Sequence, residues 1–235
     1  VGIVILTMPH SLIFADTTNG VSENIQIPTT NLLPCLTTID DGISFTDKRG
    51  GGVGKMYDKI EKNLSSYVFS SHPQDRLIKG IGNNMFGNLR PLSRFEMTKI
   101  ALGANCINYN SSPTRNTFFT DVPTDDSEIS LVIGKARALG IVQGVGNQFY
   151  PNRPVSYGEM VKILVGSGTY FDRGTARTPL AHMLSGITDE SFRQFAEHAA
   201  RMNLVNLGPS NSFPQNDFVL RRFMAQAVAR YIAWL

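Results

Sequence analysis

The chain has 235 residues, of which 42% are hydrophobic and 17% are charged. This balance is typical of a globular protein and excludes a disordered one. The formal net charge of +3, without any run of lysines and arginines, permits an acidic partner but gives no reason to expect nucleic acid. The length suits one or two ordinary domains, or three small units that share a core.

The first residues, Val1 to Ala15, form a short apolar segment. A bilayer span needs about 20 such residues, so we interpret the segment as the apolar part of a secretory signal, or a fragment of one, cleaved after Ala15. The missing basic leader and the large Ile13 before the cut leave a buried strand as the alternative. No other long apolar run occurs, so no transmembrane span is expected.

Residues 16–44 are rich in threonine, asparagine and proline, which predicts a linker or extended arm. This arm contains Cys35, and the other cysteine is Cys106. The absence of a C-x-x-C or Cys/His spacing gives no reason to expect a metal site. A disulfide is allowed in a secreted protein, and two free buried thiols are equally compatible with the sequence.

Beyond residue 44 one pattern occurs three times, with Phe86, Phe149 and Phe213 at matching points and a period of about 63 residues. Such repetition predicts three similar structural units. We place them at residues 45–110, 117–171 and 178–235. The three matching stretches read GIGNNMFGNLRPLSRFEM, GVGNQFYPNRPVSYGEM and GPSNSFPQNDFVLRRFM.

Each unit is expected to contain two helices. In the second unit, apolar residues at helical spacing from Ile129 to Leu139 predict a helix from about Ser127 to Leu139, which Gly140 is placed to end. Similar apolar stripes occur in the other units, and we interpret all of them as core. In the first unit the helix ends early, and Ser70–Asp75 is predicted to be an inserted loop.

The second helices begin with SRFE and SYGE, the pattern of a capping box. Ser93 and Ser156 are the predicted caps, and the glutamates three residues later are interpreted as caps rather than catalytic acids. The glycine-rich turns lack the G-K-[ST] of a phosphate loop, the four histidines are scattered, and no nucleophile-elbow motif occurs. No catalytic residue, metal or cofactor is therefore predicted.

Arg94 breaks a local rule, because a cation at the first position of a helix opposes the helix dipole by roughly 0.3 to 1 kcal/mol. Arg221 takes the matching place in the third unit, with Arg222 beside it. An arginine next to free helix N–H groups could hold a carboxylate or phosphate. A salt bridge to a neighbouring unit, or exposure to solvent, explains the same residues. On the first interpretation, replacing Arg94 by alanine should leave the fold intact or slightly stabilised.

The order of short motifs in the three units resembles that of the S-layer homology (SLH) domain family. The second unit contains FTDV, LGIVQG, FYP and VSYGEM, the first FTD, LIKG and PLSRFEM, and the third LVNLG, SFP and VLRRFM. The resemblance extends over about residues 45 to 235. It departs from the family pattern at Tyr157, which replaces the arginine, and at Leu220 and Phe223, which replace the capping serine and the glutamate.

The resemblance implies a mainly α fold in which three SLH repeats form a pseudo-threefold unit with a central helical bundle and peripheral helices. It implies a non-enzymatic, secreted protein at the bacterial cell surface. Grooves between repeats would anchor it non-covalently to the wall by binding an acidic polysaccharide, often one with ketal-linked pyruvate, or another peptidoglycan-linked polymer. The residues that it points to are Arg94, Arg221, Ser93, Asp121, Tyr157 and Arg222.

Because of these departures, the three grooves are not expected to be equivalent. Tyr157 offers an aromatic face on which a sugar could stack, or it simply packs. A different class of function also fits the resemblance, namely a structural protein that self-associates into a surface lattice and has degenerate glycan sites. The chain could also be the anchoring portion of a longer surface enzyme.

Overall fold

The computed structural model describes residues 33–40, 42–47, 52–70, 72–168, 187, 189–205 and 213–235. Within this part of the chain there are six helices and a small three-stranded sheet, so the described fold is mainly helical. The predicted signal segment, and most of the predicted arm, lie outside the described residues. In chain order the elements are β1 (Leu36–Thr38), α1 (Gly52–Ser66), β2 (Tyr67–Phe69), β3 (His72–Arg76), α2 (Arg94–Ala104), α3 (Glu128–Ala138), α4 (Tyr157–Gly166), α5 (Glu190–Arg201) and α6 (Arg221–Trp234).

The antiparallel sheet, in the order β1-β2-β3, forms where the sequence predicts an arm and an inserted loop. β1 pairs with β2 in a register that places Leu36 opposite Phe69. β3 contains most of the predicted loop Ser70–Asp75 and pairs with β2 across an irregularity next to Val68. The loop prediction is therefore wrong for residues 72–75. Strand pairing satisfies the backbone of this polar stretch, and a reading of local polarity does not anticipate such pairing.

Cys35 and Cys106 form a disulfide, which decides between the two alternatives that the sequence leaves open. Their Cα atoms are 5.5 Å apart, although the two residues are separated by 71 positions in the chain. Cys106 follows Asn105, the C-cap of α2. The bond therefore ties the start of β1 to the end of α2 and makes this part of the predicted arm a component of the folded unit.

Both predicted capping boxes are present. The Ser93 hydroxyl accepts from the backbone N–H of Glu96 at 3.2 Å, and the Glu96 carboxylate accepts from the N–H of Ser93 at 2.9 Å. Ser156 and Glu159 make the same pair of bonds at the start of α4. Helix α6 follows Leu220 and has no side-chain cap, because leucine offers no acceptor.

Helix α3 confirms the predicted helix to within one residue at each end. Val132, Ile133 and Ala136 are fully buried, as their spacing predicts. Leu139 was expected to continue this stripe but is 52% exposed. The reason is that α3 ends at Ala138 and Leu139 already belongs to the turn, in which Gly140 has a φ of 72°. A positive φ of this kind favours glycine.

Three backbone hydrogen bonds join the segments that lead into α2, α4 and α6. The N–H of Leu92 donates to the carbonyl of Val219 at 2.8 Å, that of Val155 to Leu92 at 2.9 Å, and that of Val219 to Val155 at 3.0 Å. All three side chains are fully buried. Since each residue donates to one partner and accepts from the other, the three form a closed cycle, which we call the central ring.

The first N–H group of each of these helices also donates to a neighbouring segment. The donors are Arg94, Tyr157 and Arg221, and their respective acceptors are the carbonyls of Arg153, Asp217 and Arg90, at 2.9 to 3.0 Å. Such N–H groups would otherwise lack a partner within their own helix. The expectation of free N–H groups beside the arginines is therefore wrong, because backbone carbonyls already accept from them.

A polar contact links the opposite ends of these three helices. The Asn105 amide donates to the Ser167 hydroxyl at 2.7 Å, and the Tyr231 hydroxyl donates to the Asn105 amide oxygen at 2.6 Å. Asn105 and Ser167 are the C-caps of α2 and α4, and Tyr231 lies near the end of α6. Tyr231 is only 2% exposed. This partly buried hydrogen-bond network fixes the relative positions of the helix ends.

We expect loss of the disulfide to destabilise the fold strongly. Closing a loop of 71 residues lowers the entropy of the unfolded chain by an amount equivalent to about 4 kcal/mol. The Cys35→Ser, Cys106→Ser double variant should therefore unfold at a lower denaturant concentration than the oxidised chain. Reduced wild-type protein provides the control and should resemble the variant. An unchanged midpoint in both would contradict the prediction.

Alkaline conditions should weaken the fold through Tyr231. Burial raises the pKa of Tyr231 to about 12, so the folded state keeps the proton at a pH at which the unfolded chain, with a tyrosine pKa of about 10, releases it. Stability is then fully present below pH 10 and falls as the pH rises towards 12, by about 1 kcal/mol at pH 11. Tyr231→Phe should reduce this fall in melting curves recorded between pH 8 and 11. An identical pH dependence in the variant would contradict the assignment.

Candidate functional site

Arg94 is buried against the chain that follows α3. Its guanidinium donates from Nη1 to the carbonyl of Phe149 at 2.9 Å and from Nη2 to the carbonyl of Gln143. It also lies 4.6 Å from the centre of the Phe149 ring. Its Nε is 3.9 Å from a carboxylate oxygen of Glu159, and it has no hydrogen-bond partner within the described part of the chain. The fold thus uses most of this guanidinium but leaves one buried donor unpaired.

Arg221 makes the corresponding contacts with the chain that precedes α2. Its Nε donates to the carbonyl of Phe86 at 2.9 Å, its Nη2 to the carbonyl of Lys79 at 2.6 Å and its Nη1 to Glu96 at 3.0 Å. The guanidinium lies 5.0 Å from the centre of the Phe86 ring. The structure therefore gives Arg221 the salt bridge to a neighbouring segment that the sequence leaves open as an alternative.

Tyr157 takes the matching place at the start of α4. Its ring packs against Phe223 with the ring centroids 6.4 Å apart. Phe223 in turn stands where the other two helices carry the capping glutamate. An aromatic contact thus replaces the arginine–glutamate pair at this junction.

The charges at the two arginine junctions are mutually compensated. Burial lowers the pKa of Arg94 and of Arg221, while Glu159 and Glu96 respectively oppose that change. Burial by itself would raise the pKa of Glu159, but hydrogen bonds from Arg153 and from its cap N–H, together with the charge of Arg94, bring it below its usual value. Arg90 donates to Glu96, and Arg153 donates to Glu159. Each carboxylate is therefore shared between the N-cap of its own helix and cationic groups.

Asp121 supports the segment to which Arg94 binds. Its carboxylate accepts from the backbone N–H of Phe149 at 2.8 Å and from that of Tyr150 at 2.6 Å. Asp47 does the same for Phe86–Asn88, at 2.8 to 3.1 Å. Burial alone would raise the pKa of Asp47, but these backbone hydrogen bonds outweigh it, and the net pKa is lowered. Both aspartates therefore position the carbonyls that receive the arginines.

Ser93 and Arg222 occupy different parts of the two arginine junctions. Ser93 is the helix cap, with its hydroxyl engaged by the backbone. Arg222 stacks over Phe223 at 4.4 Å, and its buried Nε has no hydrogen-bond partner among the described residues. Arg222 is therefore a second guanidinium with an unpaired donor, next to Arg221.

A cleft of about 480 Å³ lies between α4, α5 and the chain that follows α3. Of the six residues predicted for the site, Arg94 alone is among the described residues that line this cleft. The described lining consists of Arg94, Gly140, Ile141, Val142, Gln143, Glu159, Lys162, Ile163, Gly166, Ser191, Gln194 and Phe195. A second cleft of about 350 Å³ shares Glu159 and Lys162 with the first. Glu159 and Lys162 therefore border both cavities.

Lys162 is not among the site residues expected from the sequence. It follows the apolar Met160 by two positions, which places it on the polar side of the helical pattern in the sequence. The internal repetition is the signal that could have revealed it. Lys162 matches Lys99 at the period of about 63 residues, whereas the residues that face the two lysines differ.

Two further classes of site are absent from the described residues. No group of three or more histidine, cysteine, aspartate and glutamate side chains there could hold a metal ion. None of the described helices combines the length and the apolarity that a membrane span requires.

Residues 118–161 match the S-layer homology domain. This match covers the segment from Phe118, just before Asp121, to the first turns of α4, and so includes the carbonyls that receive Arg94. No curated protein matches the chain. S-layer homology domains are non-catalytic modules that anchor surface proteins to the cell wall, so the match indicates a protein associated with the cell surface or wall.

Truncation of the junction arginines should destabilise the fold, contrary to the expectation from the helix dipole alone. Arg221→Ala removes three hydrogen bonds, leaves the carbonyls of Phe86 and Lys79 without this donor and leaves Glu96 with one donor fewer, which should cost about 1 to 3 kcal/mol. Arg94→Ala leaves two carbonyls without a donor and should cost somewhat less. Thermal melting of both variants tests this, with Lys62→Ala as an exposed control that is expected within about 0.5 kcal/mol of wild type. A melting temperature unchanged in Arg221→Ala would contradict the structural role.

Proposed function

We propose that the chain anchors a secreted protein to the bacterial cell wall by binding an acidic wall polysaccharide, or another peptidoglycan-linked polymer, in clefts between its helices. The match of residues 118–161 supports this class of function. The Cys35–Cys106 disulfide supports secretion, because such bonds persist in oxidising compartments and are rare in the cytosol. Cleavage of a signal after Ala15 belongs to the same proposal.

The architecture belongs to the proposal as well. Residues 45–110, 117–171 and 178–235 are taken as three S-layer homology repeats in one pseudo-threefold unit. The central ring supports this arrangement, since it connects three segments that are about 63 residues apart in sequence. The parallel contacts of Arg94 and Arg221 support it too, because each binds the carbonyl before a glycine and the carbonyl of a buried phenylalanine.

The observation that carries the binding proposal is the larger cleft. It brings together two cations, Arg94 and Lys162, and one of them retains a buried donor with no partner among the described residues. A ligand carboxylate would supply the missing acceptor through a charge-assisted hydrogen bond. Ile163 and Phe195 add an apolar wall, which suits the carbon-bound face of a sugar ring.

The remaining predicted residues have supporting roles in this proposal. Ser93 and Asp121 hold the helix start and the loop on either side of Arg94. Arg221 and Arg222 form the matching corner, where Arg222 contributes an unpaired donor. Tyr157 contributes packing rather than charge, and it should matter less for binding of an anionic ligand.

Binding to purified cell walls of the source bacterium tests the proposal. The chain should sediment with intact walls and should not sediment with walls from which the non-peptidoglycan polymer has been removed. Arg94→Gln, which keeps a donor for one carbonyl but removes the charge, should weaken binding by about ten- to a hundredfold. Binding should also weaken as salt is added, because the contact is ionic.

Lys62→Gln is the matched control, since it makes the same charge change on an exposed position of α1 and should leave wall binding unaltered. Each variant is compared at a temperature well below its melting point, so that lost stability does not mimic lost binding. Equal sedimentation with both kinds of wall, or unchanged affinity in a folded Arg94→Gln variant, would contradict the proposal and favour a self-associating lattice protein.

A further inference from the structure

Two lysines at matching positions face different groups across their helix pairs. Lys99 on α2 faces α3, where its Nζ lies 2.6 Å from Oε1 of Glu128. The hydroxyl of Tyr109 donates to the same oxygen at 2.8 Å. The ammonium group of Lys99 is therefore paired with a carboxylate that the protein itself supplies.

At the matching place about 63 residues later, Lys162 on α4 faces α5, and Ser191 stands where α3 carries Glu128. The Ser191 hydroxyl donates to Asp189 at 2.6 Å, at the start of its own helix. That aspartate is also the carboxylate within ion-pair range of Lys162, at 3.9 Å, which is beyond hydrogen-bond distance. The side chain of Lys162 is 40% exposed, against 22% for Lys99.

The surroundings of Lys162 contain no other available carboxylate within the described residues of the cleft. Glu159 is engaged by Arg153 and by the cap of α4. The Phe192 ring, 5.7 Å from Nζ, attracts the ammonium group but does not neutralise it. Lys162 therefore retains donors for an anion in the same cleft in which Arg94 has an unpaired Nε.

We infer that Lys162 is an anion-binding residue, and that the carboxylate of an acidic sugar binds beside it in the place that Glu128 occupies beside Lys99. This inference rests on the proposed wall binding, and it specifies which cleft and which side chain the ligand carboxylate contacts. In the α2–α3 pair Glu128 acts as a built-in substitute for the ligand, so that groove is already occupied. In the α4–α5 cleft the small, uncharged Ser191 leaves the place open.

The same comparison indicates the class of ligand. A neutral glycan offers Lys162 only hydroxyl groups, which water replaces readily, whereas a carboxylate restores the pairing seen at Lys99. Gln194 also lines the cleft, and a glutamine amide can bond to sugar hydroxyls. The cleft therefore suits a glycan with a carboxylate close to a sugar ring.

The decisive experiment places a carboxylate beside Lys162. Ser191→Glu should pair with Lys162 as Glu128 pairs with Lys99, and should lower affinity for purified walls by about ten- to a hundredfold without lowering the melting temperature. Ser191→Gln is the matched control, because it adds nearly the same volume without charge and should bind walls within about threefold of wild type. Equal affinity of these two variants would overturn the inference.

The two lysines provide a second, independent comparison. Lys162→Met should lose wall affinity to a similar extent, while Lys99→Met, which removes the same charge at the matching position, should bind as wild type does. Equal losses in the two variants would mean that only net charge matters and would overturn the assignment. Failure of the wild-type chain to bind walls would instead refute the proposed function, so the two failures are distinguishable.

Discussion

The central ring of Leu92, Val155 and Val219 is the constraint on which the rest of the structure depends. Each of its hydrogen bonds joins backbone to backbone, so the ring places no demand on side-chain chemistry beyond burial. Helices α2, α4 and α6 each begin two residues after a ring residue. The ring therefore fixes where the three helix starts lie, and with them the reach of the side chains at each first position.

Because the central ring involves the backbone alone, one arrangement of the three helices accommodates different side chains at their junctions. Two helices begin with an arginine that reaches a glutamate and two carbonyls of the next segment, and the third begins with Tyr157 packed on Phe223. Buried ion pairs offer little net stability over apolar contacts of similar size, so such an exchange is energetically tolerable. The junctions differ in whether an arginine N–H is left unpaired, and therefore in their ability to hold an anion.

Local features of this fold could be predicted from the sequence, and features that depend on distant partners could not. The caps at Ser93 and Ser156 and the helix end at Gly140 follow from residues within one turn, and all three were predicted correctly. The role of Arg94 depends on carbonyls 49 and 55 residues away, and β1 forms only because β2 lies beside it. A role for Lys162 could not be predicted from its neighbours in the sequence. It follows from a comparison of the contacts of Lys162 with those of Lys99.

The contacts of Arg221 have a consequence for the order of folding. Its bond to the carbonyl of Lys79 spans 142 residues, and its bond to Phe86 spans 135. Such long-range contacts form slowly, since the loop must close before they contribute any stability. The corner between α6 and the chain before α2 cannot form until α6 has been synthesised. A nascent chain thus stays incompletely folded until that helix has left the ribosome.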